Sequence, residues 1–216
     1  QLPESTVYYE EALSVYQQLS GGYLENPYAS ARAGIAHRLA CMYHVEALAA
    51  MQGEQEQAAQ EYMTRANEAF ELAIASSDPP TASLCLEYGR FLIVTERVAS
   101  AYQYLQQAIA VGDGDAGRLS YRASEKGIVA SVLREKLGPG GSISLRPVDY
   151  AYYLLIHHYE DFQAAGIHPG KAREAYLEDY RQVVDQQAGQ EGREEEDEMA
   201  RYLLEGLELT LGVVVR

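Results

Sequence analysis

Apolar residues recur at spacings of three and four along most of this chain, the pattern of helices that bury one stripe each. Glu4–Leu19 reads as a first helix, with Ala12, Val15, Tyr16 and Leu19 as its buried stripe. Ser20–Gly21–Gly22 ends it, since glycine readily takes the left-handed conformation that closes a helix, and Glu25–Asn26–Pro27 is a loop. Tyr28–Met51 is a long helix whose apolar face (Ile35, Ala36, Leu39, Ala40, Met42, Tyr43, Ala47) is wide enough to pack on two sides. After a break at Gln52–Gly53, Gln55–Ala75 places Ala59, Tyr62, Met63, Ala66, Phe70 and Ala73 on one face. These two helices form a hairpin. Ser76–Thr81 stops the second one, because its two prolines cannot continue a helix.

Ser83–Ala108 is the stretch around which the rest is organised. It predicts two amphipathic helices separated by a break at Thr95–Arg97. Leu84, Tyr88 and Phe91 recur on the first arm, and Val98, Ala101, Leu105 and Ala108 on the second. So short a connection folds the arms back on each other. Gly89 on the first arm, and Ala101 and Ala108 on the second, are small residues where helix axes can approach, with Leu105 the large residue between. Ala66, Phe70 and Ala73 repeat the small-large-small spacing, followed by Asp78–Pro79, and a weaker copy is Ala12, Tyr16 and Leu19 with Pro27 beyond.

This register resembles the tetratricopeptide repeat, a helix–turn–helix of about 34 residues. The resemblance covers roughly residues 6–112. Two departures stand out: Asp113 falls where the family has a turn proline, and Tyr88 replaces the leucine before the glycine. The long step from Ala12 to Ala66 requires lengthened helices between them. The resemblance implies an all-α fold of antiparallel hairpins, about eight helices, stacked as a right-handed solenoid with a concave binding face.

Further along, Arg118–Leu137 is expected as a helix with Val129, Val132 and Leu133 inward, and Gly138–Pro147 as a mobile Gly/Pro-rich linker. The domain reading is therefore residues 1–137 as the repeat region, 138–147 as the linker, and 148–216 as a helical region packing on or extending the stack. In that region Val148–Ala164 is expected as one aromatic-rich helix. Pro169 suits the start of the next, Lys171–Gln187, and Glu198–Val215 is the last. The acidic run Glu194–Glu198 is a solvated loop or the first turns of that helix.

With 216 residues, 47% of them hydrophobic, the chain has a sizeable core and is no disordered segment. It has 18 Tyr, 3 Phe and no Trp, a preference that suits half-wet helix interfaces. A formal charge of −15 argues against nucleic acid and anionic membranes as partners and leaves basic peptides open. Cys41 and Cys85 lie on apolar helical stretches and read as buried free thiols in a cytoplasmic protein. No apolar run is long enough to span a bilayer.

Candidate chemistry is sparse. The Gly112–Asp115 turn lacks the alternating ligands of a calcium loop, and Gly138–Pro147 has no P-loop lysine. His157 and Asp161 are one turn apart, but two ligands make no metal site. Neither metal nor cofactor is expected, and no catalytic triad or zinc motif appears. Three readings remain. The leading one is a non-enzymatic module (adaptor, scaffold or chaperone-like) that binds a partner's peptide or helix in a concave groove through Arg32, Arg38, Tyr43, Tyr88 and Arg90. The second is a structural or oligomerising subunit using the apolar terminal helix. The third is an all-helical enzyme built on His157, His158, Asp161 and Arg146.

Overall fold

The computed structural model describes residues 4–19, 28–112, 119–122, 142–188 and 194–212. Helices dominate: α1 (Glu4–Leu19), α2 (Ala29–Gln52), α3 (Glu56–Ala75), α4 (Ala82–Val94) and α5 (Val98–Val111) precede a two-stranded ribbon, β1 (Leu119–Arg122) and β2 (Ser142–Leu145). Then come α6 (Pro147–His157), α7 (Tyr159–Ala164), α8 (Arg173–Gln187) and α9 (Glu194–Leu211).

The hairpins α2/α3 and α4/α5 form where the apolar pattern placed them. Alanine spacing on α2 buries Ala33, Ala36, Ala40, Ala47 and Ala50 beside Leu39, Tyr43 and His44, a face broad enough to meet α1, α3 and α4. On α3, Ala66, Phe70 and Ala73 are fully enclosed, as are Ala101, Leu105 and Ala108 on α5. The Thr81 hydroxyl caps α4 by accepting from the Leu84 amide at 3.2 Å. At Gly89 the arms are in close contact: a Cβ there would lie 3.1 Å from Leu105 Cδ2 and 3.5 Å from the Ala101 carbonyl.

α1 departs from expectation. Its inward residues are Thr6, Tyr9, Ala12, Leu13 and Tyr16, so Ala12 and Tyr16 of the expected stripe turn inward, whereas Val15 is 53% exposed and the Leu19 side chain lies outside the described ones. The stripe is set by what α2 offers: Arg38 and Tyr43 draw Tyr9 and Glu10 toward the hairpin and rotate Val15 outward.

The ribbon was not expected. β1 pairs antiparallel with β2, Leu119 opposite Leu145 and Arg122 opposite Ser142. Leu-Ser-Tyr-Arg and Ser-Ile-Ser-Leu both alternate apolar and polar, a period of two that fits a strand and not a helix. The helix expected over Arg118–Leu137 therefore begins as a strand, and its remaining residues lie outside the described ones. The expected linker ends in β2, a buried Arg146 and the first residue of α6.

α6 is buried on every side from Pro147 to Ile156 and packs against α4, α5, α8 and α9. One apolar core thus runs from α2 through α4 and α6 to Leu207 of α9. The helix expected over Val148–Ala164 breaks at His158 into α6 and α7, and Pro169 precedes α8 without starting it. The acidic run Glu194–Glu198 forms the first turns of α9.

Candidate functional site

The site is built where α1 lies on the α2/α3 hairpin. Tyr16 meets Tyr28 with ring centroids 5.8 Å apart, and Tyr9 meets Arg38, so α1 runs antiparallel to α2. The Arg38 Nη1 donates to the Tyr9 hydroxyl at 2.9 Å, and its guanidinium sits 5.9 Å from the Tyr9 ring centroid. Glu10 is the hub of a second contact. It accepts a hydrogen bond from the Tyr43 hydroxyl and pairs with Arg65 Nη1 at 3.3 Å. Arg65 also lies over the Tyr43 ring at 5.8 Å and pairs with Glu61 one turn earlier on α3 at 3.0 Å. Burial, reinforced by the Glu10 carboxylate, pushes the Tyr43 hydroxyl up to about 12, so it remains a donor across the physiological range.

Beside this contact is a cleft of about 350 Å³ between α1, α2 and α3. Leu13, Leu39, Ala69 and Leu72 supply its apolar surface, and Glu10, Tyr43, Arg65 and Glu68 its polar groups. A cleft that pairs an apolar floor with a few fixed polar groups can hold one partner side chain and orient it.

The five residues expected to bind a partner are not gathered here. Tyr43 alone lines the cleft. Arg38 stands at its flank on Tyr9, exposed. Arg32 Nε donates to the Ser76 hydroxyl at 2.9 Å and ties α2 to the end of α3. Tyr88 is an interior residue: its ring stacks on Phe70 at 5.1 Å and lies 4.7 Å from Tyr104, while its hydroxyl donates to Asn67 Oδ1 at 3.4 Å. Arg90 pairs with the buried Glu87 at 3.2 Å and covers the Tyr150 ring at 5.8 Å. Helix face alone could not separate a groove-lining residue from one that faces the next helix of the stack.

Glu10, Arg65, Glu68 and Leu72 were missed. Arg65 carried a signal: it is the single cation on α3, among Glu56, Glu61, Glu68 and Glu71. Glu61 on the same helix answers part of that charge, and Glu10 of α1 adds a second carboxylate.

The residues named for an enzyme are arranged differently. His158 Nδ1 and Asp161 Oδ2 are 2.7 Å apart, so Asp161 partners His158, whereas His157 stacks on Tyr153 at 5.7 Å. Burial lowers the His157 pKa, helped by the neighbouring His158 and Arg173. Among the described residues no group of three or more His, Cys, Asp or Glu side chains is placed to hold a metal ion. Arg146 is far from these histidines in role. It grips Asp149 through Nε at 2.6 Å and Nη2 at 3.2 Å, and reaches Asp197 of α9 at 3.5 Å, all three buried. That network joins the end of the ribbon, the start of α6 and the first turns of α9. Among the described residues no helix is long and apolar enough to cross a membrane.

Comparison of the chain with protein-family models, with curated proteins and with solved structures gave no match.

Proposed function

We propose that this chain is a non-enzymatic protein-binding module that holds a partner's peptide or helix against the α2/α3 hairpin, at the cleft beside α1. The observation that carries this reading is the cleft itself, with half-exposed Leu13 and Leu72 over buried Leu39 and Ala69, and Tyr43, Arg65 and Glu68 around it. The enclosed small-large-small sets on α3 and α5 support the tetratricopeptide-like reading of the two hairpins, a family architecture used to bind extended or helical segments. A cytoplasmic scaffold or adaptor fits this reading.

The test is selection of a displayed random-peptide library on the immobilised chain, counter-selected on Leu72→Glu. Leu72 is half-buried in the cleft wall, so the change places a carboxylate in the floor while leaving the enclosed Phe70 and Ala73 in place. Peptides that bind the chain and not the variant support the reading. No enrichment, or enrichment indifferent to Leu72→Glu, removes it. A second reading, a subunit that assembles through its last helix, is favoured by Leu209, which is 82% exposed on α9.

A further inference from the structure

We propose that the seat of α1 on the α2/α3 hairpin is a docking surface for an amphipathic helix of a partner protein that carries a tyrosine and an adjacent carboxylate, and that α1 is its exchangeable occupant in cis. This deepens the protein-binding reading above, on which it rests, by naming the partner's chemistry.

The first observation is how lightly α1 is held. Of its side chains described from Glu4 to Gln18, only Thr6 is buried; Tyr9, Ala12, Leu13 and Tyr16 are half-covered, and Val7, Tyr8 and Val15 are 42%, 64% and 53% exposed. α2 and α3, by contrast, enclose Ala36, Ala40, Ala47, Ala66, Phe70 and Ala73 completely. A helix that buries so little apolar area opens locally at small cost compared with the hairpin beneath it.

The second observation is what holds α1 in place. Besides the packing of Tyr9 and Leu13 on the core and of Tyr16 on Tyr28, the ties are polar: Arg38 to the Tyr9 hydroxyl, Tyr43 and Arg65 to the Glu10 carboxylate. The chain carries a net charge of −15, yet two arginines, one from each arm of the hairpin, contact this single helix. With Glu61 and Glu68 beside Arg65 the seat is of mixed charge, so it selects by position: a hydroxyl for Arg38 and a carboxylate for Tyr43 and Arg65. The third observation is the space left beside α1. Leu39, Ala69 and Leu72 still line an open cleft with α1 in place. A partner helix with a larger apolar residue at the position of Leu13 would fill it, retaining the Tyr9–Glu10 pair for the two arginines. The preferred ligand is therefore a helix with a tyrosine, an adjacent carboxylate, and a large apolar residue three positions on.

The probe is a fluorescein-labelled synthetic peptide of residues 4–19, followed by anisotropy against the full chain and against full-length Glu10→Ala. A tethered occupant competes at high effective concentration, so the unaltered chain binds the peptide weakly. Glu10→Ala loosens that occupant, and the same peptide should bind it at least about tenfold more tightly. The peptide carrying Glu10→Ala should bind neither chain detectably. Hydrogen–deuterium exchange on the unaltered chain needs no variant: α1 amides should exchange at least about tenfold faster than those of α2 and α3. Equal peptide affinity for both chains, or α1 amides protected as well as the hairpin, overturns the proposal. A dimer of the full chain that the added peptide dissolves would reassign the seat to a second copy and overturn the partner assignment. Library peptides that still respond to Leu72→Glu while the α1 peptide binds nothing would leave the binding module standing and remove this inference alone.

Discussion

Gly89→Ala tests the close contact between α4 and α5 and has a sign that depends on one neighbour. In an otherwise unconstrained helix the change stabilises by about 0.5–1 kcal/mol, since alanine loses less backbone freedom on folding. Here the new methyl lands 3.1 Å from Leu105 Cδ2 and 3.2 Å from Leu105 Cγ. Leu105 is fully enclosed, so it cannot swing into solvent to yield. Overpacking of this kind costs about 1–3 kcal/mol. The clash exceeds the propensity gain, and the single variant should lose about 1 kcal/mol. Leu105→Ala alone should lose about 2–5 kcal/mol through the cavity it leaves. In that background the obstruction is gone, and Gly89→Ala should now stabilise by about 0.5–1 kcal/mol. The two changes are therefore coupled by about 2 kcal/mol, within the range for residues in direct contact. Urea unfolding of the four chains, followed by circular dichroism and by tyrosine fluorescence, measures the cycle; with no Trp in the chain, tyrosine emission is unobscured. Additivity within about 0.5 kcal/mol, or a stabilising Gly89→Ala in the unaltered chain, would refute the packing of α4 on α5 described above.

Three further outcomes follow from the interior. His44 is buried against Phe91, with a ring-centroid distance of 5.2 Å, and burial lowers its pKa to about 4, Arg90 adding to the effect and Glu87 opposing it. The unfolded chain takes up this proton near pH 6.5 and the folded chain only near 4, so stability falls as pH drops through that window, by about 3 kcal/mol for this group. His44→Leu should accordingly gain on the unaltered chain as the pH is lowered from 7 to 4, and a constant difference between the two melts would disprove it. Arg146→Met removes both guanidinium contacts to the buried Asp149 and should cost about 3–5 kcal/mol in urea unfolding; a loss below about 1 kcal/mol would contradict the enclosure of that pair. Burial pushes the Cys85 thiol up to about 12, so a thiol-reactive disulfide reagent should label half-buried Cys41 first and Cys85 only on unfolding; two fast-reacting thiols in the native chain would count against it.

What the sequence revealed and what it hid follow from the range of the forces involved. The arms of the α4/α5 hairpin, the small residue at Gly89 and the enclosure of Ala101, Leu105 and Ala108 are set by local spacing, and were legible. The same spacing located α2 and α3 to within a residue or two. The rotation of α1 was not legible, because Tyr9 and Glu10 answer to Arg38 and Arg65, which are 29 and 55 positions away. The ribbon was hidden because each strand is four residues long and its partner lies beyond an intervening stretch. Similarly, Tyr88 and Arg90 looked like groove residues because an amphipathic pattern marks a face without saying what covers it; here Phe70, Tyr104 and Tyr150 do.

The central claim is that a partner's segment binds at the cleft beside α1 and not at the terminal helix. Methyl NMR of the leucine-labelled chain, titrated with a library-selected peptide, tests it most directly. The account predicts shifts at Leu13, Leu39 and Leu72, with Leu203, Leu207 and Leu209 of α9 unmoved. Shifts confined to α9 would contradict it and assign binding to the last helix.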